Sequence, residues 1–302
     1  MKSRRDSAPG SAHERGIALV LVLWILALIS VLVIAFTGDA RTGLRIARNQ
    51  YETARARALA DAGVSFAILG LLDASPETRW RAAGEEHEVT YGNGSIRVSV
   101  QDEAGKISLN DASDEMFVGL FRTLGESAAE SAGLAAAITE WRERKRSELA
   151  SASTAAGTPN EQAPEPFLAI EELRLVPGVT SVFYEHVSPY LTVYAESPQV
   201  DPLTAPAEVL RSLPGLSAQQ VDAYIADRTQ RGGSVYAVLP PVPGLSPFRA
   251  NPARRTVTIT SEGRTESGTR FVREAVVATT GARDQPYRLL VWRQARSPQK
   301  AD

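Results

Sequence analysis

Cysteine is missing from all 302 residues. Its absence excludes disulfides, thiol nucleophiles and cysteine-ligated zinc, so the C-terminal end of the chain must be held by sheet pairing alone. Histidine is scarce: His13, His87 and His186 stand at no ligand-like spacing and read as surface or core residues. No nucleophile elbow, phosphate-binding loop or HExxH pair occurs, and Gly92-Asn93-Gly94 reads as a turn rather than a nucleotide loop. The sequence therefore predicts no enzyme and no catalytic residue. A strong charge of one sign is lacking too. The formal net charge of −2 gives no global attraction to nucleic acid or anionic lipid.

One stretch lacks charge altogether. Ile17 to Phe36 reads IALVLVLWILALISVLVIAF, with Ser30 as its only hydroxyl. As a helix this run extends about 30 Å, the thickness of a bilayer's hydrocarbon core. The residues before it are polar and net basic and end in Arg15-Gly16. A Sec-type signal has a shorter apolar region followed by small residues at the cut. Here the run is full length and the expected cut precedes it, between Gly16 and Ile17. This is the architecture of a prepilin: residues 1–16 are a leader removed on the cytoplasmic side, and 17–36 are a transmembrane and assembly helix. An uncleaved signal anchor is the plainer alternative. Arg41, Arg45, Arg48, Arg55 and Arg57 follow the run closely, so the positive-inside rule does not settle orientation. The glycine boundary carries the reading. Without residues 1–16 the chain keeps 29 bases against 33 acids, a net charge of −4.

Beyond Phe36 the helical period continues. Leu44, Ala47, Tyr51, Ala54, Ala58, Ala62, Phe66 and Leu69 recur at three- and four-residue steps and predict one helix of about fifty residues, ending before Pro76. His87–Tyr91 and Ser95–Gln101 flank Asn-Gly and read as a β-hairpin; Lys106–Leu109 follows as a further strand. Asp111 or Ser113 can cap a helix carrying Met116, Phe117, Leu120, Phe121 and Leu124. Ala128–Leu149 reads as a second helix ending in the charged run Glu140–Arg146, and Ser151–Pro166 has loop composition. Strand texture returns at Thr256–Ser261, Arg270–Thr279 and Tyr287–Arg293. The expected fold class is α+β: a long N-terminal helix on an antiparallel sheet. Residues 37–110 supply the helix and first strands, 111–248 a large all-α insertion, and 249–302 the strands that complete the sheet.

The insertion holds an internal repeat. EELRLVPGVT (Glu171–Thr180) and EVLRSLPGLS (Glu208–Ser217) align at a spacing of 37 residues. Each places a short helix, a Pro-Gly turn and a hydroxyl able to cap a following helix, the pattern of helix-hairpin-helix or SAM-like units. Pro-Gly-Leu-Ser recurs at Pro243–Ser246 without a helical period after it, which leaves two units.

Four stretches resemble one family, general secretion pathway protein K, the minor pseudopilin of type II secretion. They are Arg15-Gly16-Ile17-Ala18-Leu19; Asp102–Asn110 (DEAGKISLN); Glu171–Gly178 with Ser188–Val193 (SPYLTV); and Leu203–Leu210 (LTAPAEVL) leading to Leu213-Pro214-Gly215. The resemblance implies the pseudopilin fold, anchorage in the bacterial inner membrane by a single pass, and a bulk in the periplasm. It implies processing at Gly16|Ile17 by prepilin peptidase, with methylation of the new terminus. The implied partners are the I- and J-type minor pseudopilins, the major pseudopilin and secreted cargo. Major pilins and pseudopilins carry glutamate at the fifth mature position, where its carboxylate neutralises a neighbour's α-amino group in an apolar core. The fifth residue after the cut here is Leu21. A subunit with nothing above it in the filament needs no such carboxylate, so the resemblance places this chain at the pseudopilus tip.

Two further readings attach to the insertion. The family's calcium site resembles an acid-rich run after a tryptophan with a downstream Gly-Ala-Glu. Here Trp141 is followed by Arg142, Glu143, Arg144, Lys145 and Arg146. A hard cation needs six or more oxygens, so Glu140 and Glu143 stand as the calcium candidates against a plain solvated helix end. The repeat also resembles the hairpin module of a membrane-anchored DNA-binding protein of a DNA-uptake system. That module needs a second glycine and phosphate-facing lysines. Thr180 and Ser217 replace the glycine, and Asp222 and Asp227 follow, so no nucleic acid is expected.

Overall fold

The structure is a computed structural model that describes residues 12–75, 77–155, 165–195, 197–230, 242, 244–245 and 255–295, with side chains for all of these except 12–18, 33–41 and 153–155. Helix α1, Ala12–Leu71, is a single helix of 60 residues, longer than its apolar stripe alone predicts because it begins ahead of Gly16. It stops where the Asp73 carboxylate accepts the Ser75 N–H and the Thr78 hydroxyl. Residues 1–55 form one compact unit and 56–302 a second. In the first, the large side chains of 19–32 are all exposed, and Ser30 returns its hydroxyl to the Leu26 carbonyl, 2.8 Å away.

The second unit is α+β. After α1 come β1 (Ala83–Tyr91), β2 (Gly94–Asp102) and the two-residue β3 (Ile107–Ser108). Helices α2 (Asp114–Thr123) and α3 (Ala128–Ala155) follow, then α4 (Ser181–Val187), β4 (Leu191–Thr192), α5 (Ala207–Ser212) and α6 (Ala218–Gln230). Strands β5 (Thr256–Thr265), β6 (Arg270–Thr279) and β7 (Tyr287–Gln294) end the described chain. Among the described residues the main sheet has five antiparallel strands in the order β1-β2-β5-β6-β7. Strands from the two ends of the sequence are thus joined at the β2–β5 seam, where Asp102 pairs with Val257.

The end of α1 lies on this sheet because both surfaces are smooth where they meet. A Cβ at Gly263 would stand 2.3 Å from the Ala56 carbonyl oxygen, and one at Gly63 2.1 Å from the Ser261 hydroxyl. Leu59, Val64, Ala67 and Leu71 pack there on Ile96, Val98, Val100, Val257, Ile259, Ala275 and Val277. A second core, centred on Phe117, Phe121, Ile138, Leu173, Val209 and Leu210, joins the helices that follow β3. Two expectations change. Residues 151–155 continue α3 instead of opening a loop, because the alanine-rich helix carries on past its charged run. The first member of the first Pro-Gly unit is a 3-10 segment, Ile170–Leu175, not an α-helix. Pro243 and Ser246 of the third Pro-Gly-Leu-Ser lie outside the described residues.

Candidate functional site

Three of the stretches singled out in the sequence meet at one place, the junction between sheet and helices. Asp102 ends β2 and caps a short 3-10 turn, its carboxylate accepting the Ala104 N–H at 3.0 Å. The turn brings Gly105 so close to the 203–210 stretch that a Cβ would stand 2.6 Å from the Thr204 carbonyl carbon. Ala104 accepts from the Asp201 N–H and Gln101 donates to the Thr204 carbonyl. β3 then pairs in parallel with β4, Ile107 beside Leu191, which fastens the 188–193 stretch. Asn110 closes the junction in both directions: its amide nitrogen donates to Phe167 O (3.0 Å) and its amide oxygen accepts the Phe167 N–H (2.9 Å).

Buried charge is concentrated here, and its compensation is uneven. Glu103, almost fully buried, accepts from Lys106 at 2.6 Å and from the Thr258 hydroxyl at 2.7 Å. Burial pushes the Asp102 carboxyl up to about 6; the Ala104 N–H and Arg255 pull the other way, and Asp201 and Glu103 add to the rise. Burial raises the Glu274 carboxyl as well, Lys106 opposing and Glu103 adding. Glu274 pairs with Arg293, which also reaches Glu171 of the first Pro-Gly unit. The cleft between this face of the sheet and the 169–194 segment has a volume of about 720 Å³ and is lined by Glu103, Lys106, Glu274 and Arg293 with Tyr184 and Tyr194.

The remaining candidates fall elsewhere. Gly16 and Ile17 lie in α1, with side chains outside those described. Leu21 is on the same helix and 56% exposed. Among the described residues no helix is long and apolar enough to cross a membrane; the expected span 17–36 falls partly on side chains outside that description. Glu140 and Glu143 are exposed near the middle of α3, and Glu143 pairs with Arg146 at 2.9 Å. Among the described residues no group of three or more His, Asp or Glu is placed to hold a metal. The charged run does more than meet solvent. Arg142, 8% exposed, donates to the Ala112 carbonyl, and Arg146 donates to the Asn110 carbonyl at 2.5 Å, so two bases beside the calcium candidates dock α3 onto the junction. In the Pro-Gly units Gly178 and Gly215 both have φ of +88°. The Thr180 hydroxyl accepts the Phe183 N–H, and Ser217 and Gln220 bond reciprocally. Asp222 pairs with Arg211 across the second unit at 2.7 Å.

A helix laid on an antiparallel sheet, with helices entering and leaving at one seam, defines the class: an α+β protein. Within it, residues 97–196 match the family described as "Type II secretion system (T2SS), protein K". The type II secretion system protein K of Klebsiella pneumoniae is 26% identical over 94% of this chain and 94% of its own length. A solved structure, the GspK-GspI-GspJ complex from the enterotoxigenic Escherichia coli type 2 secretion system, is similar at a TM-score of 0.45 and 16% identity, over 86% of this chain and 100% of its own. The resemblance to type II secretion protein K read from the sequence is shown by the sequence matches, and it runs through nearly the whole chain. The matched family is a structural one.

Proposed function

We propose that this chain is a minor pseudopilin that caps the type II pseudopilus, primes its assembly with the I- and J-type minor pseudopilins and the major pseudopilin, and so supports protein export. The observation that carries the reading is Leu21. A fifth mature residue without a carboxylate, exposed on a helix whose 19–32 side chains find no cover in the chain itself, suits a helix that packs among others yet meets no amino group above it. In this reading prepilin peptidase cuts at Gly16|Ile17, residues 17–36 form a single pass through the inner membrane, and the rest stands in the periplasm. Residues 111–248 are the inserted domain, with two helix-hairpin-helix units acting as fold braces, and they face the channel or cargo. No metal role is assigned to Glu140 or Glu143.

Leu21→Glu is the test. A carboxylate there costs several kcal/mol in hydrocarbon until it is paired, so pseudopili should be fewer and secretion of a reporter exoprotein reduced. The same preparations should yield a mature chain beginning at Ile17. The reading fails if the wild-type subunit is found distributed along filaments, or if Leu21→Glu changes neither filament number nor secretion.

A further inference from the structure

A second cleft, of about 660 Å³, is enclosed by the 77–87 segment that follows α1, by Leu203 and Thr204, by the last turn of α6 and by Arg255. That volume lies in the range of small-molecule sites. Arg255 is fixed through its backbone: its N–H donates to the Thr279 hydroxyl at 3.0 Å and its carbonyl accepts the Thr279 N–H at 2.8 Å. Its side chain is half-buried, yet among the described residues the guanidinium makes no hydrogen bond and no ion pair, and its Nε is fully buried without a partner. A charge held this way is costly. Burial lowers the Arg255 pKa; Asp102 opposes from beyond ion-pair range, and Arg79 adds to the fall. Three more arginines line the cleft. Arg79 donates to the Asp73 and Ala74 carbonyls at 2.7 and 3.2 Å, and Arg228 to the Pro202 and Ala205 carbonyls, both at 2.8 Å. A carbonyl orients a guanidinium without cancelling its charge. Of the four, Arg81 alone has a carboxylate in ion-pair range, that of Glu85.

Charge and hydrogen bonding together say what the cleft lacks. Its lining sets four arginines against Glu77 and Glu85, a net +2, in a chain of net charge −2. Asp102 and Asp201 do not line the cleft and offset this in part, acting on Arg255 and Arg228. Like charges face one another across it, Arg79 acting on Arg255 and Arg81 on Arg228 and His87. Residues 231–254, which join α6 to β5, hold Arg231, Arg249 and Arg254 and no acid, so that segment brings no carboxylate. Thr204 Oγ1 and His87 Nε2 belong to the same lining and are likewise buried without partners. Each can donate a hydrogen bond, and an arginine Nε can do nothing else. The missing group is therefore an acceptor, and an anionic one. Guanidinium forks match the oxygens of phosphate, and a dianion balances a lining of net +2.

We propose that this cleft binds a phosphate group, free or carried by a small molecule or a lipid headgroup, with Arg255 as its main ligand and Arg79 and Arg228 as flanking cations. The site goes beyond the assembly reading and does not depend on it. The test uses the full chain in non-ionic detergent and phosphate-free buffer, titrated with inorganic phosphate and with glycerol phosphate and followed by calorimetry and phosphorus NMR. One site should be seen. Its affinity should fall at least tenfold in Arg255→Gln and stay unchanged in Arg122→Gln, at an exposed arginine of α2. Without phosphate, Arg255→Gln should melt no lower than the wild type, since the lost guanidinium gave up no hydrogen bond. If it does melt lower, Arg255→Lys decides, because it keeps the charge near Asp102 and loses the fork: weaker binding upholds the proposal and wild-type affinity overturns it. Dihexanoyl phosphatidic acid separates the sources. Tighter binding than glycerol phosphate makes the ligand a headgroup, equal or weaker binding makes it a soluble phosphate, and both uphold the assignment. The proposal is overturned if no phosphate probe binds, if Arg255→Gln binds as the wild type does, or if succinate binds as tightly as phosphate.

Discussion

Asp102 holds a charge where the fold prefers none. Its carboxyl, 1% exposed, is pushed from 3.8 to about 6 by burial, with Asp201 and Glu103 adding to the rise. A raised carboxyl favours the protonated form in the folded chain. Its contribution to stability is therefore fully present below about pH 4 and lost as pH rises through 6. The loss is about 3 kcal/mol at most, at 1.36 kcal/mol per pH unit. Asp102→Asn keeps an oxygen for the Ala104 N–H and removes the charge, so it should raise stability at pH 7.5 by up to that amount, less whatever Arg255 loses with its partner. Urea denaturation at pH 7.5 and pH 4 checks this: the gain should vanish at the lower pH, and a variant less stable at pH 7.5 would refute the account. Residues of this kind were half legible. The run Asp102–Asn110 stood out as one of the four stretches that carry the resemblance, and Thr180 and Ser217 announced caps, because a cap acts on backbone three residues away. Arg142 and Arg146 read as solvent charges because their acceptors, the Ala112 and Asn110 carbonyls, lie at least 30 residues back and belong to backbone, which no side-chain pattern marks. The Arg273–Asp61 bond spans 212 residues and was equally invisible.

At the scale of elements, the contact between α1 and the sheet depends on two missing side chains. Gly263→Ala would drive a Cβ against the Ala56 carbonyl oxygen and the Ala60 nitrogen, at 2.3 and 2.5 Å. Both are backbone atoms and cannot turn aside, so the helix must lift from β5. Overpacking of this kind costs about 1–3 kcal/mol, and the melting temperature should fall accordingly. Gly43, on the exposed part of α1 with nothing within 4 Å of its would-be Cβ, is the control. There alanine should be neutral or should stabilise the helix by about 0.5–1 kcal/mol. Equal effects at the two sites would mean that close approach does not hold α1 on the sheet. Periodicity revealed α1, the first hairpin and the three late strands, since each runs long enough for a 3.6 or 2.0 repeat to show. It could not distinguish the 3-10 turn at Ile170–Leu175 from an α-helix, because six residues complete too few turns. It was silent on strand order, which arises from pairings such as Asp102 with Val257 across the whole helical part.

That pairing governs the molecule as a whole. Asp102 and Val257 face each other at the end of an antiparallel pair, so the chain leaves the sheet and re-enters it on adjacent strands. Everything between, both Pro-Gly units included, occupies the position of a hairpin loop. Its core is also its own: Phe117, Phe121, Leu173 and Leu210 cluster together, apart from the Ile96, Val98, Ile259 and Val277 cluster under α1. Replacing residues 103–256 by Asn-Gly should therefore leave β2 and β5 joined as an ordinary hairpin, with α1 still on the sheet. The cost is local, because the opposite face loses its cover over Glu274, Val276, Val291 and Arg293, which line the cleft. The Thr258 hydroxyl loses Glu103 and Arg293 loses Glu171. Stability should drop by several kcal/mol, since buried groups left without partners cost about 1–3 kcal/mol each, yet unfolding should remain a single cooperative transition. Far-UV circular dichroism during melting measures both: a smaller helical signal, still lost in one step. If the shortened chain shows no cooperative step, the sheet cannot stand without the helices and the two cores form one folding unit. If it melts cooperatively and still binds the I- or J-type partner, the contact lies on the sheet and α1.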